Sequence, residues 1–272
     1  MKQHELTANQ VTAGYDKQII FQDLSITIPA NKISIIIGSN GSGKSTLLKT
    51  IARLIKPSKG DIYLDGKKAS AYPAKEFAKL LGLMPQSPIV PEGISVADLI
   101  ARGRYPHRSM MQSMNQADYT AIASAMELMQ IQDLAHRYVD ELSGGQRQRV
   151  WIALALAQDS DILFLDEPTT FLDIAYQIEI LDMLMELNRK KGTTIVMVMH
   201  DINLSARYAD YMFAMANGAL IAEGTPVEVI QEELMHQIYG IDSKILTDTI
   251  AGSPMMVPMG RFHHQTAQQQ SR

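Results

Sequence analysis

The chain carries the octapeptide Gly38-Ser39-Asn40-Gly41-Ser42-Gly43-Lys44-Ser45 between a β-branched apolar run and a helical pattern. Its spacing matches G-x-x-x-x-G-K-[ST], whose glycines let backbone N–H groups converge on phosphate oxygens without a clash from a Cβ atom. A helix that begins here adds the positive end of its dipole. Lys44 can reach the β- and γ-phosphates of a nucleotide, and the Ser45 hydroxyl can bind Mg²⁺. The stretch therefore predicts a phosphate-binding loop rather than an ordinary glycine-rich turn.

Two acidic residues follow a second apolar run. The residues Ile162 to Leu165 predict a buried strand with Asp166 at its carboxyl end. We expect Asp166 to hold Mg²⁺, directly or through water. Glu167 would lie near the γ-phosphate, where it can orient and deprotonate an attacking water. By themselves, these two residues would be read as surface acids that follow a strand. Because the chain also has a phosphate-binding loop, the catalytic interpretation is favoured.

Composition limits the class of protein. The 272 residues suffice for one large domain, or for a main domain with a smaller one, and the net charge of −4 provides no global basic field for nucleic acid. The absence of cysteine excludes disulfides, zinc–thiolate sites and cysteine catalysis. The N-terminal segment is polar, and no stretch approaches the ~18–20 apolar residues that span a bilayer. We therefore expect a chain that does not cross a membrane by itself.

The order of strand and helix patterns predicts an α/β fold. We expect a P-loop NTPase core with a mostly parallel sheet, an N-terminal antiparallel β-subdomain, and a helical subdomain inserted at about residues 87–160. This domain would cover residues 1–251, and the polar segment 252–272 would be a flexible tail. The predicted strands cover 6–15, 24–28, 33–37, 61–65, 81–85, 162–165, 193–199, 211–216 and 220–223. The predicted helices cover 44–54, 74–80, 96–102, 116–129, 145–158, 173–190 and 203–208, with two short helices up to about 239.

A second anion site precedes the predicted helix at 145–158. Its sequence is Leu142-Ser143-Gly144-Gly145-Gln146, in which the Ser143 hydroxyl and the Gly145 N–H could contact a phosphate. Together with the two motifs above, in this order, the stretch resembles the ABC-transporter ATPase family, whose hallmark is LSGGQ between the P-loop and the Asp-Glu strand.

The resemblance implies roles for further residues, each of which also has a plain structural reading. Tyr15 would stack on adenine, although a tyrosine in a strand usually serves packing. Gln86 would join the Mg²⁺ shell and sense the membrane partner, or be an unremarkable loop residue. Asp173 would be the aspartate of the D-loop and can at the same time cap a helix. His200 would contact the γ-phosphate and hold the catalytic geometry, or be a structural histidine.

The family scheme binds ATP between the P-loop of one chain and the signature of another. It implies a head-to-tail homodimer with two sites, because this chain has one copy of each motif. The expected cofactors are ATP and Mg²⁺, with Ser45, Gln86 and Asp166 at the metal and Lys44, Glu167 and His200 in catalysis. The expected nucleotide contacts are Tyr15, Gly38, Ser39, Asn40, Gly41, Ser42, Gly43, Lys44, Ser45, Thr46, Gln86, Ser143, Gly144, Gly145, Gln146, Asp166 and Asp173.

Two function classes remain open: the engine of a membrane transporter, and a soluble ABC ATPase acting on nucleic acid or ribosomes. The transporter is favoured because there is no second P-loop, no room for a long coiled-coil arm, and no dense Lys/Arg tract. The nearest to such a tract is Arg102, Arg104, His107 and Arg108. The resemblance then implies two separate permease subunits that dock along residues 87–108. It also implies an indirect extracellular substrate-binding lipoprotein, no nucleic acid, and a peripheral place on the cytoplasmic face of the cell membrane.

Two short strings indicate a subfamily. The residues Ala101-Arg102-Gly103-Arg104-Tyr105-Pro106-His107 resemble the "GRYPH" stretch of ATPases that serve iron–siderophore, haem and cobalamin importers. The residues Thr169-Thr170-Phe171-Leu172-Asp173 are similar to their D-loop. Ferric siderophore is therefore the expected cargo, with haem or cobalamin as the alternative. The 17 methionines are more simply core filler than a sign of metal handling.

Overall fold

The computed structural model describes residues 3–16, 18–86, 92–109, 113–170 and 172–260. The strands are β1 (Leu6–Tyr15), β2 (Gln18–Ile28), β3 (Ile33–Gly38), β4 (Lys59–Leu64), β5 (Lys67–Lys68), β6 (Leu81–Met84), β7 (Ile162–Asp166), β8 (Thr194–Val198), β9 (Tyr211–Ala216), β10 (Ala219–Gly224), β11 (Ser243–Thr247) and β12 (Pro254–Pro258). The α-helices are α1 (Lys44–Ile51), α2 (Ala74–Leu80), α3 (Val96–Ala101), α4 (Gln116–Leu128), α5 (Gly144–Ala157), α6 (Ile174–Lys191), α7 (Ile202–Tyr208), α8 (Pro226–Val229) and α9 (Glu232–Tyr239). Short 3₁₀ turns cover Ala69–Ala71, Arg102–His107, Gln132–Leu134 and Val139–Glu141.

The central sheet has six strands in the order β10-β9-β3-β8-β7-β6, and only β10 runs antiparallel to its neighbour. Strands β3, β7 and β8 are buried along their whole length, as expected for apolar runs covered on both faces. Because parallel strands end at one edge of the sheet, the loop after β3, Asp166 of β7 and His200 after β8 meet there. The predicted P-loop α/β architecture is confirmed.

The N-terminal strands form a separate antiparallel sheet in the order β2-β1-β4-β5. Alternate residues of β2, Leu24, Ile26 and Ile28, are buried and pack in one apolar cluster with Phe164 and Phe213 of the central sheet. His4 adds a polar connection: its Nδ1 lies 2.7 Å from Asp65 Oδ2, and its Nε2 lies 3.0 Å from Asp161 Oδ2. This sheet is therefore fixed against the strand that ends in Asp166.

Helices α3, α4 and α5 lie between β6 and β7 in the chain, where helical patterns were predicted. They share one large apolar cluster with strands β3, β7 and β8 through residues such as Val150, Ile152 and Leu163. The extent of this insertion as a subdomain at about 87–160 stays a prediction.

The predicted flexible tail is wrong for its first residues. Strand β12 pairs in antiparallel register with β11, and Met256 is buried against α7. Asn203 fixes the strand from both sides, since its Oδ1 accepts from Met256 N at 2.8 Å and its Nδ2 donates to Met256 O at 3.2 Å. The polar composition of the segment suggested a loose tail, whereas the pairing depends on residues that are distant in the sequence. Residues 261–272, with His263 and His264, lie outside the described part of the chain.

Candidate active site

The loop from Gly38 to Ser45 depends on glycine at its first position. Gly38 has φ +152°, and a Cβ atom there would lie 2.1 Å from the carbonyl oxygen of Met215. Helix α1 begins at Lys44 after Gly43, which has φ +100° and provides no side-chain cap. The first N–H groups of α1 therefore lack a capping side chain, which is the arrangement that an anion can complete.

Lys44 closes the loop on itself. Its Nζ donates to Gly38 O and Ser39 O, both at 2.9 Å, and the side chain is buried. Burial lowers the pKa of Lys44, while the charges of Glu167 and Asp166 raise it. The lysine is thus held at the phosphate loop and opposite two carboxylates.

A cleft of about 590 Å³ opens above this loop. The predicted residues that line it are Asn40, Gly41, Gly43, Lys44, Ser45, Thr46, Gln86, Glu167 and His200. Sequence reasoning missed Ile20 of β2, which also lines the cleft. The cleft therefore brings together the residues predicted to bind a triphosphate and the residues predicted to hydrolyse it.

Asp166 and Ser45 form the centre of the predicted metal site. Ser45 Oγ donates to Asp166 Oδ1 at 2.8 Å, while Asp166 Oδ2 is buried and has no hydrogen-bond partner among the described residues. Burial raises the pKa of the Asp166 carboxyl, and the Ser45 hydrogen bond opposes this shift. A buried, unpaired carboxylate oxygen beside a hydroxyl fits a divalent cation that prefers oxygen ligands.

Glu167 stands on a strained turn at the end of β7. Its φ is +57°, and its N–H donates to Val198 O at 3.1 Å. The carboxylate is held on both sides, because Oε1 lies 2.6 Å from His200 Nε2 and Oε2 accepts from Thr170 Oγ1 at 3.0 Å. Burial alone would raise the pKa of Glu167, but hydrogen bonds from His200, Thr170 and Gln86 lower it overall. This carboxylate is therefore ionised and aimed by its neighbours.

The other predicted contacts do not line this cleft. Ser143 caps α5: its Oγ accepts from Gln146 N at 3.3 Å, and Gln146 Oε1 accepts from Ser143 N at 3.1 Å. Asp173 caps α6 by accepting from Tyr176 N at 3.2 Å. Tyr15 lies 48% exposed at the end of β1. The structure thus divides the predicted site into a built half and an exposed half.

The basic stretch near residues 102–108 is less basic on its surface than the sequence suggests. Arg104 is buried, with Nε 2.9 Å from Asp118 Oδ1, and its NH1 donates to Ala157 O at 2.8 Å. His107 Nε2 lies 2.8 Å from Gln158 O. Arg104 therefore does not contribute to an exposed basic surface, because its guanidinium joins α4 to the end of α5.

Among the helices of the described ranges, none is both long and apolar enough to cross a bilayer.

Comparison with known proteins gives a consistent result. The family model described as "ABC transporter" matches residues 21–170. The achromobactin transport ATP-binding protein CbrD of Dickeya dadantii is 47% identical over 94% of this chain and 95% of its own length. The ferric enterobactin transport ATP-binding protein FepC of Escherichia coli is 45% identical over 96% of this chain and 97% of its own length. Among solved structures, a dimeric post-hydrolysis state of the ATP-binding cassette MJ0796 with ADP and Pi superposes with a TM-score of 0.72, at 27% identity over 81% of this chain and 98% of that one.

Proposed function

The chain belongs to the ABC transporter family as an ATP-hydrolysing subunit, and we propose that two copies enclose two ATP molecules head-to-tail to drive a separate permease. The observation that carries the proposal is the divided site. The cleft at Lys44 and Glu167 contains a phosphate loop and a base, whereas Ser143 and Gly145 lie elsewhere on the chain. In a two-fold dimer, the signature of each copy would complete the cleft of the other.

The signature suits contact with a phosphate. Ser143 Oγ uses a lone pair for Gln146 N, so its own O–H is left to donate. A Cβ atom at Gly144 would meet nothing within 4 Å, so packing inside the chain does not require glycine there. An approaching phosphate would explain it, since glycine allows close approach to backbone N–H groups.

We assign the metal to Mg²⁺, held by Ser45 and Asp166 with Gln86 nearby. The buried, unpaired Asp166 Oδ2 supports this assignment. When bound, Mg²⁺ would neutralise charge on the β- and γ-phosphate oxygens. Lys44 would leave the carbonyl oxygens of Gly38 and Ser39 to donate to the same phosphates.

Hydrolysis would need one proton acceptor. In our proposal, the Glu167 carboxylate accepts a proton from the attacking water as its oxygen bonds to the γ-phosphorus and the bond to ADP breaks. His200 holds Oε1 through its Nε2 and lines the cleft, where the other ring nitrogen would face the γ-phosphate. Release of phosphate removes the contacts of Ser143 and Gly145, so the dimer opens.

The variant Glu167→Gln tests this scheme. It keeps the size of the side chain and one of its two acceptor oxygens but cannot accept the proton, so kcat should fall by about 10²–10⁴-fold while ATP still binds. Size-exclusion chromatography with Mg-ATP should show an accumulated dimer. Normal turnover, or a monomer with bound ATP, would overturn the proposal.

We place the permease contact at the surface near Tyr105. Tyr105 is 65% exposed, and Lys75 Nζ lies 4.7 Å from its ring centroid while donating to Arg108 O at 2.8 Å. An aromatic and cationic surface suits a short docking helix. Residues 87–91 of the predicted groove lie outside the described part of the chain. This would hold the subunit peripherally on the cytoplasmic face. Co-purification with ribosomes or DNA instead of membranes would contradict this placement. The burial of Arg104 supports it, because that cation is withdrawn from the surface that nucleic acid would contact.

We propose ferric siderophore as the cargo, chosen by permease subunits and an extracellular binding lipoprotein. The support comes from relatives named for achromobactin and ferric enterobactin transport at 45–47% identity. Deletion of the gene should abolish uptake of labelled ferric siderophore and leave haem and cobalamin uptake unchanged. The reverse pattern would assign the subunit to a haem or cobalamin importer.

A further inference from the structure

The turn that bears Glu167 is held by two side chains that the scheme above does not use. Thr170 N donates to Glu167 O at 3.4 Å, and the Thr170 hydroxyl donates to the carboxylate of Glu167 at 3.0 Å. Gln148 Nε2 donates to Pro168 O at 2.7 Å. Gln148 belongs to α5, the helix that begins at the signature, so the turn is connected to both the base and the signature helix.

We propose that Thr170 and Gln148 are positioning residues for Glu167. Thr170 sets the plane of the carboxylate, and Gln148 fixes the turn against the signature helix. The inference rests on the proposed role of Glu167 as the proton acceptor.

Thr170 completes the orientation of the carboxylate. His200 holds Oε1 and Gln86 also donates to the carboxylate, while the bond from Thr170 fixes Oε2. Each carboxylate oxygen has a further lone pair for the water proton. Because a displacement of about 1 Å can cost about 10²-fold in rate, such fixing affects the chemical step rather than ATP binding.

Gln148 extends this control to the signature. It lies five residues after the cap Ser143, or about 7.5 Å along a helix that rises 1.5 Å per residue. In a head-to-tail dimer, Ser143 would contact the ATP of one site while Gln148, on the same rigid helix, holds the base of the other. The state of one site would therefore influence alignment of the base in the second.

The experiment compares ATPase kinetics of four variants at saturating Mg²⁺. Thr170→Val removes the hydroxyl at constant shape and should lower kcat about tenfold, with KM for ATP within about twofold of wild type. Thr170→Ser restores the donor and should recover most of kcat. Gln148→Met should lower kcat in the same way, whereas the exposed Gln116→Met on α4 should have no effect. If Thr170→Val fails to fold, Thr170→Ala replaces it.

A combined Thr170→Val and Gln148→Met variant is a further test. Because both residues act on one turn, its loss in kcat should be smaller than the product of the single losses. Unchanged kcat in Thr170→Val, equal loss in Thr170→Ser, or a parallel rise in KM would overturn the inference. Glu167→Gln measured alongside separates the two proposals: normal turnover there removes the premise, while an inactive Glu167→Gln with a normal Thr170→Val rejects only the inference.

Discussion

Two glycine-containing turns of this protein begin helices, yet they are built in opposite ways. Before α1, Gly38 is pressed against a neighbouring strand, Lys44 is buried in the loop, and no side chain caps the helix. Before α5, Ser143 and Gln146 cap each other, and Gly144 faces open space. The first turn leaves N–H groups for a ligand, and the second satisfies its own groups until a ligand arrives.

The difference explains how a site can be divided without instability. An uncapped helix end with a buried lysine costs free energy, and the surrounding core of β3, β8 and β9 supports it. A self-capped helix end needs no such support and can remain at the surface. The phosphate loop is thus the fixed half of the proposed site, and the signature is the half that a second copy would bring.

The largest expected effect is on the fixed half. Gly38→Ala would place a Cβ atom 2.1 Å from Met215 O at a positive φ, so the free energy of unfolding should fall by about 2–4 kcal/mol. Urea denaturation of the nucleotide-free protein measures this loss. Wild-type stability would show that the loop is not fixed by this contact.

A second test uses pH and concerns the packing of the N-terminal sheet against the strand that ends in Asp166. His4 bridges two carboxylates; although burial lowers its pKa, Asp65 and Asp161 raise it overall above 6.5. Protonated His4 should therefore stabilise the fold below pH 6.5, and this contribution disappears as the pH rises through the raised pKa. The stability difference between wild type and His4→Gln should shrink from pH 5.5 to about 8. A difference that grows over this range would contradict the prediction.

The smallest change in the free energy of unfolding is expected in the exposed half. There a substitution should have a large effect on formation of the ATP-dependent dimer instead. Gly144→Ala meets no atom within 4 Å and replaces a helical glycine, so stability should rise by about 0.5 kcal/mol. In a Glu167→Gln background, the same change should reduce the ATP-dependent dimer seen by size exclusion, because the methyl group obstructs the phosphate. An undiminished dimer would mean that Gly144 does not face the nucleotide.

The sequence predicted best what depends on local residues. The phosphate loop, Asp166, Glu167 and His200 follow strands whose apolar runs are visible in the chain, and parallel strands bring their ends together. Thr170 and Gln148 were missed as contacts of the Glu167 turn because their partners are known only once the turn and α5 pack. The available signal for Thr170 was its position, because it places a hydroxyl three residues after the catalytic acid Glu167. Strand β12 was missed because its partner and Asn203 lie far away in sequence.

The most direct test of the divided site mixes two inactive variants. Lys44→Ala disables the phosphate loop and Gly145→Asp disables the signature, so neither homodimer should hydrolyse ATP appreciably. In a mixed head-to-tail dimer, both lesions fall in one site and the other site is intact. Mixing the purified variants with Mg-ATP should therefore restore hydrolysis well above the sum of the separate rates. A mixture no more active than that sum would contradict a site shared between two copies.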